Sequence, residues 1–494
     1  MAWQAVAGEP LHGVPVEPLA ATARRAGFRV LESDHLVLVT DRPVREGDGV
    51  EQLPAIFDQA FASWCRHYDI SPETLAPWRA FGCLVVDRER FHAAGLLPPH
   101  VPEFVNGFCD RNRFWMMDQS NPAYRRHLLL HEGVHAFTLT VRSSNAPAWY
   151  SEGIAEYLAT HRLEAAADSI RYVPTPMPDR ASDVEQLGRI ERLRELWSAG
   201  RSPGFGDALE TSADRHQDIS AYASSWAIVA FLAGHPASAR AFAALERGPL
   251  DATLNDRLAA MPTYDPARAA RDFDAFIDDL DYGYDFARSA IDWSPGRTLG
   301  PSARIEVEAD RGWQNSGLAL EGGRSYDLEA TGRCLLGTVG DARIESEADG
   351  ISLDWYRGRP LGRLLLAQWV EKPAAGGRPR FLIVGGGAKA RITAPGDGPL
   401  YCKVNDRPGS LADNAAALAV DIRPATAPED GARRAPGTRR PRDSAGSSAP
   451  SARDPPPGPP RGPRGSPTPR ATGLAACRPR RTRPACSSCS LPRS

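Results

Sequence analysis

The stretch Tyr124-Arg-Arg-His127-Leu-Leu-Leu-His131-Glu132-Gly-Val-His135-Ala-Phe-Thr-Leu-Thr-Val141 decides how the rest of the chain is read. It follows Asn121-Pro122, a capping side chain ahead of a proline suited to the first helical position, and predicts a helix over 123–141. Leu128, Leu129, Leu130, Ala136, Phe137 and Leu139 surround its polar centre and mark the helix as buried. Residues four apart on a helix share a face, so His131 and His135 present two imidazoles to one point, with Glu132 beside them. Two imidazoles and an adjacent carboxylate form a donor pair for one metal ion with a general base next to it. His127 sits one turn before His131 and in isolation is an equally good partner for it, so spacing alone leaves both pairs open.

A third ligand is expected from Pro147-Ala-Trp-Tyr-Ser-Glu152-Gly-Ile-Ala-Glu156-Tyr157. The pattern predicts a helix over 151–162 with Ser151 as N-cap, Glu152 in its first turn and Glu156 one turn later on the same face. Trp149, Ile154, Ala155, Tyr157 and Leu158 make it a packed helix rather than a solvated charged surface. Zinc held by two histidines takes one more protein ligand and keeps a fourth position open. Glu152 suits that ligand role, and Glu156 suits the outer acceptor that orients a ligand imidazole.

His131-Glu-x-x-His135 followed by Trp149-Tyr-Ser-Glu152-Gly-Ile-Ala-Glu-Tyr157 resembles the gluzincin zinc peptidases, the clan of thermolysin and the zinc aminopeptidases. Among them it is similar to bacterial members with a W-x-x-E-G-x-A-E-Y signature. The metzincin pattern is excluded, since it needs glycine at Thr138 and histidine at Val141. The resemblance implies a zincin-like fold, Glu152 as third zinc ligand, a peptide or protein substrate, and hydrolysis by metal-activated water with Glu132 as base. Tyr222-Ala-Ser-Ser-Trp-Ala-Ile-Val-Ala-Phe-Leu232 resembles the aminopeptidase segment that opens a helix with an oxyanion-stabilising tyrosine, which implies that role for Tyr222; His216 competes for it. The G-x-M-E-N motif that captures a free substrate amine is absent, so aminopeptidase activity is not implied.

Outward from this centre, the expected architecture is multidomain: an α+β zincin-like catalytic region, then an antiparallel β-sandwich, then a disordered tail. Residues 1–120 read as a small α/β unit, with strand signals at 35–40, 81–86 and 113–118 and a helix at 52–68. Residues 121–292 read as mainly helical (123–141, 151–162, 183–199, 219–234, 237–246, 268–279). From 300 to 424, short β-type runs separated by Gly and Asp turns point to the sandwich.

Within it, Asn405-Asp406-Arg-Pro-Gly-Ser-Leu-Ala-Asp413-Asn414 packs oxygen donors into one loop. Asp406, Asp413 and Asn414, with a carbonyl near Ser410, could supply a calcium site, or the run is turn chemistry alone. With Trp313-Gln-Asn-Ser-Gly-Leu, Gly322-Gly323 and Gly358-Arg-Pro-Leu-Gly362, the loop resembles calcium-dependent galactophilic bacterial lectins. That implies calcium and a galactoside whose hydroxyls complete its shell. The family's N-N-S-G is Asp413-Asn-Ala-Ala here, and its His and Gln sugar contacts have no match in 345–362.

The chain has 494 residues, 42% hydrophobic and 24% charged, and a pI near 6.6 that gives no reason to expect nucleic acid as a partner. Residues 431–494 hold 14 Arg and 2 Asp, no Lys or Glu, and no Ile, Val, Phe, Tyr or Trp, so 425–494 is expected to be disordered. Cys486-x-x-Cys489 lies there without a second Cys/His pair to complete a zinc site. Cys65, Cys83, Cys109, Cys334 and Cys402 are scattered singly, as buried thiols or one or two bridges. No run of 18 apolar residues exists, so no membrane-spanning helix is expected. The first residues lack a charged n-region and an apolar h-region, leaving the compartment open; the domain combination points to secretion or the cell surface. Two functional classes follow: a zinc peptidase with an accessory carbohydrate- or surface-binding module, or a non-catalytic carbohydrate- or surface-binding protein on a peptidase scaffold.

Overall fold

The computed structural model describes residues 13–45, 47–166, 169–184, 188–211, 218–373 and 377–426. The expected disordered tail with its cysteines, and His216, lie outside the described residues.

Helix α1 (Glu17–Arg25) leads into β1 (Arg29–Glu32), β2 (Leu36–Thr40), α2 (Leu53–His67), β3 (Ala80–Val85), α3 (Arg88–Ala93), β4 (Gly107–Asp110) and β5 (Arg113–Met117). The five strands form one sheet in the order β1-β2-β3-β5-β4. β2, β3 and β5 run parallel, and the sheet ends on antiparallel edge strands, β1 beside β2 and β4 beside β5. The central strands are mainly apolar, apart from Thr40 and Arg113 at their ends, because both faces are covered. Val37, Val39, Phe81, Cys83 and Trp115 pack with α1 and α3 on one side. Leu36, Leu38, Leu84, Phe114 and Met116 join α2 and the next helix, α4 (Pro122–Val141), on the other.

α5 (Ala148–Ala159) follows α4. It begins three residues before the expected start, because Pro147 takes the N-cap position and its carbonyl accepts from the amides of Tyr150 and Ser151. Ser151 therefore lies inside the helix and caps nothing. The helix ends at Ala159, and the expected residues 160–162 leave it for β6 (His161–Ala166), which forms a hairpin with β7 (Ser169–Pro174). This hairpin interrupts a stretch read from sequence as helical. The helix expected over 183–199 is shorter, α6 (Arg189–Ser198), entered through left-handed Gly188. α7 (Phe205–Leu209), α8 (Ile219–Gly234), α9 (Ala239–Arg247), α10 (Leu254–Ala259) and α11 (Pro266–Asp279) complete this part. No single helix among the described residues is long and apolar enough to cross a membrane.

The strands that follow are β8 (Arg297–Thr298), β9 (Ala303–Glu308), β10 (Gln314–Leu320), β11 (Ser325–Thr331), β12 (Cys334–Val339), β13 (Ala342–Ser346), β14 (Ile351–Tyr356), β15 (Arg359–Leu361), β16 (Leu364–Val370), β17 (Arg380–Gly386), β18 (Lys389–Thr393), β19 (Gly398–Val404) and β20 (Ala417–Pro424). One sheet is ordered β17-β16-β19-β10-β8 and the other β18-β11-β20-β9; β12/β13 and β14/β15 are separate hairpins. All pairs are antiparallel except β8 with β10. Inward side chains of both sheets, among them Val307, Leu318, Leu328, Leu364, Leu366, Cys402, Leu418 and Val420, make one core. Alternating burial along β11 and β20 is the period-two pattern of a strand with one face in that core. The five cysteines outside the tail are all buried free thiols.

Candidate metal centre

α4 starts where Asn121 Oδ1 accepts from the amides of Ala123 and Tyr124 and Pro122 fills the first turn. It is buried along most of its length between the sheet, α2 and α5. Placing HExxH on such a helix removes the histidines from bulk water while leaving them facing α5.

His131 Nε2 and His135 Nε2 are 3.1 Å apart, and Glu152 Oε2 from α5 lies 3.3 Å from each. Zinc with bonds of 2.0–2.1 Å to tetrahedral ligands requires edges of about 3.3–3.4 Å between them. The three donor atoms thus form nearly one face of a zinc tetrahedron. Burial would hold the His131 imidazole down, but contacts to Glu152 and Glu156 outweigh it and push its pKa up to about 10. Burial likewise opposes charge on Glu152, and the two imidazoles overcome it and hold the carboxyl well below its ordinary value.

Glu132, next to His131 in sequence, lies against edge strand β4. A side chain at Gly107 would meet its Oε1 at 2.1 Å, so only glycine lets the carboxylate lie against that strand. Burial raises the Glu132 pKa. Tyr222, in the first turn of α8, packs edge-on to His131, with ring centroids 5.9 Å apart. Burial and the Glu152 charge keep its hydroxyl protonated far above the ordinary tyrosine range. The helices that carry Glu152 and Tyr222 approach closely at Gly153, where a methyl group would stand 2.4 Å from the Ser225 carbonyl oxygen. The glycine after Glu152 is therefore a packing requirement between α5 and α8.

His127 does not join the triangle. Its Nε2 is 3.1 Å from Glu156 Oε2, while Glu156 Oε1 is 3.1 Å from His131 Nδ1. Glu156 thus lies close to both histidines, hydrogen-bonded to His127 Nε2 and 3.1 Å from His131 Nδ1, which is buried without a hydrogen bond among the described residues. Sequence reading missed its other partner, Arg189 of α6, which ion-pairs with Glu156 and lies 3.2 Å from His127 Nε2. No spacing rule links residues 33 positions apart; a buried carboxylate's need for a counter-charge was the available signal. Gly107 and Tyr124 were also missed; burial and the Glu156 charge lift the Tyr124 hydroxyl pKa.

In the sandwich, Asp406 and Asn414 are buried and joined by a 2.9 Å hydrogen bond from Asn414 Nδ2 to Asp406 Oδ2. Asn414 Nδ2 also donates to the Ala309 carbonyl, and its Oδ1 is buried with no hydrogen-bond partner. Asp413 is exposed, and its charge adds to burial in raising the Asp406 pKa. Asn405 donates to the carbonyls of Tyr356, Arg359 and Pro360, tying this loop to the β14/β15 turn.

Neither a protein-family profile nor a curated protein sequence matches the chain. Among solved structures, one described as the EclA N-terminal domain, a PllA-like lectin, matches 26% of this chain and 98% of its own at 21% identity, with a TM-score of 0.19. PliG from Aeromonas hydrophila, a periplasmic inhibitor of g-type lysozyme, matches 27% of this chain and 98% of its own at 8% identity, with a TM-score of 0.15. At these scores neither likeness decides what this chain does.

Proposed function

We propose that this chain is a zinc-dependent peptidase whose metal is held by His131, His135 and Glu152. The observation that supports the reading best is the donor triangle, with edges of 3.1, 3.3 and 3.3 Å on two helices. Its two nitrogens and one carboxylate oxygen suit zinc, and three protein donors leave a position open. When bound, zinc supplies Lewis acidity, activating water and polarising a carbonyl. Glu132, with its pKa raised by burial, accepts a proton from the attacking water and delivers it to the leaving amine. The protonated Tyr222 hydroxyl, whose ring packs edge-on to His131, donates to the oxyanion of the tetrahedral intermediate. Edge strand β4, lying against Glu132, offers backbone groups to which an extended peptide could add as a further strand. Purified protein should hold one zinc per chain and cleave members of a generic peptide library; zinc-loaded protein that cleaves none would sink the peptidase assignment.

The second reading, a carbohydrate- or surface-binding protein working through the sandwich, is favoured by the loop 405–414. There a buried carboxylate and the unpartnered Asn414 Oδ1 provide oxygen donors suited to calcium, alone or with a galactoside.

A further inference from the structure

We propose that Arg189 is the positioning residue that commits His131 to metal through Nε2; this rests on the zinc reading above. His131 belongs to two donor groups, one with His135 and the half-buried Glu152 and the other, fully buried, with His127 and Glu156, and in each the donor atoms lie within 4.8 Å of one another. The groups use opposite sides of the same ring. Its Nε2 points to His135 and Glu152, and its Nδ1 is 3.1 Å from Glu156. Geometry by donor type alone would let a cation settle on either side.

Arg189 breaks this symmetry. Its guanidinium ion-pairs with Glu156 and comes within 3.2 Å of His127 Nε2, so the second group already contains a permanent positive charge. A metal ion entering there would face that charge and compete with it for Glu156. Held by Arg189, Glu156 keeps its charge 3.1 Å from His131 Nδ1, which favours the ring orientation in which Nε2 faces His135 and Glu152. The placement of Arg189 has a local cost that the pair offsets. It is the first residue of α6, where the helix dipole disfavours a cation. His127, which sequence left as a rival ligand, becomes a neighbour of Glu156 in this arrangement.

The test is competitive zinc titration and cobalt absorption spectroscopy on the full chain, for wild type, Arg189→Met and Arg189→Lys. Arg189→Met should lower zinc affinity by roughly 10- to 100-fold, the range for loss of an outer partner of a ligand histidine, and change the cobalt visible bands. Arg189→Lys keeps the charge and should recover most of the affinity, and it covers the case in which Arg189→Met folds poorly. Wild-type zinc affinity and an unchanged cobalt spectrum in Arg189→Met would overturn the proposal, as would equal losses in both variants. Peptide cleavage does not enter these readouts. A wild-type chain that holds zinc without cleaving peptides fails only the peptidase reading, whereas one that holds no zinc overturns both.

Discussion

Glu132 is buried and Glu152 half-buried beside the same two imidazoles, and their environments suit them to opposite roles in the proposed mechanism. Glu152 is the carboxylate that both Nε2 atoms approach, and its charge is stabilised; Glu132 lies against Gly107 with its pKa raised. Glu132→Ala should therefore keep one zinc per chain and lose peptide hydrolysis, while Glu152→Ala should lose the metal. Metal analysis beside cleavage rates checks both; cleavage by Glu132→Ala at near wild-type rate would remove it from the mechanism. If Tyr222 donates to the oxyanion as proposed, Tyr222→Phe should lower kcat by about 10²–10³ with little change in KM. A rise in KM at unchanged kcat would make Tyr222 a substrate-binding wall instead. That His131 and His135 share a face of α4 was legible because helical periodicity fixes which side chains lie together, and Glu152 of α5 meets them there. Arg189 was not legible, because it reaches Glu156 from a helix placed by packing against α8 and α11.

At the scale of elements, helix existence was easier to read than helix ends. α4, α8 and α11 carry an Asn or Asp at the N-cap whose side chain binds the first free amides, and their starts lie within two residues of expectation. α5 has no such cap; Pro147 starts it, and the polar Ser151 that drew the expected boundary falls within the first turn. The β6/β7 hairpin was hidden because its register pairs His161 with Pro174 across a stretch lacking clean alternation. α11 carries a titration that can be read at this scale. Asp274 is pushed up to about 6 by burial, against the pull of Arg378 and with the charges of Glu371, Asp278 and Asp207 adding to the rise. A carboxyl with a raised folded pKa binds its proton more tightly in the folded chain. The associated stability is present below the ordinary value of 3.8 and is lost as pH rises through about 6. Asp274→Asn should remove that loss and melt higher than wild type at pH 7, with the gap closing toward pH 4. Melting curves with the same pH slope for both proteins would contradict it.

At the scale of the molecule, the sandwich is fastened to the helical part by a buried joint rather than tethered. Ala275 of α11 and Ile291 pack with Trp313, Leu365, Ala367, Phe381 and Tyr401, and Trp293 stacks near Phe381. Lys403 of β19, one of three lysines in the chain, ion-pairs at 2.8 Å with Asp279 at the end of α11, both buried. An excised sandwich would expose this apolar face, so its metal chemistry belongs in a test on the full chain. Asp406 is buried, near a second carboxylate and beside an amide whose oxygen has no partner, an arrangement that a calcium ion would relieve. Calcium at a hundredfold excess over Kd should then stabilise the fold by about 2.7 kcal/mol through mass action. The gain should disappear in Asp406→Ala while zinc content stays unchanged, because His131, His135 and Glu152 share no residue with the loop. Calorimetry with and without calcium reads this directly, and adding a galactoside extends it. A further rise only when calcium is present means that sugar hydroxyls complete the shell; a calcium response indifferent to sugar leaves a structural ion. No calcium response would leave the loop as turn chemistry, with Asn405 and Asn414 serving only to tie it to the strands around it.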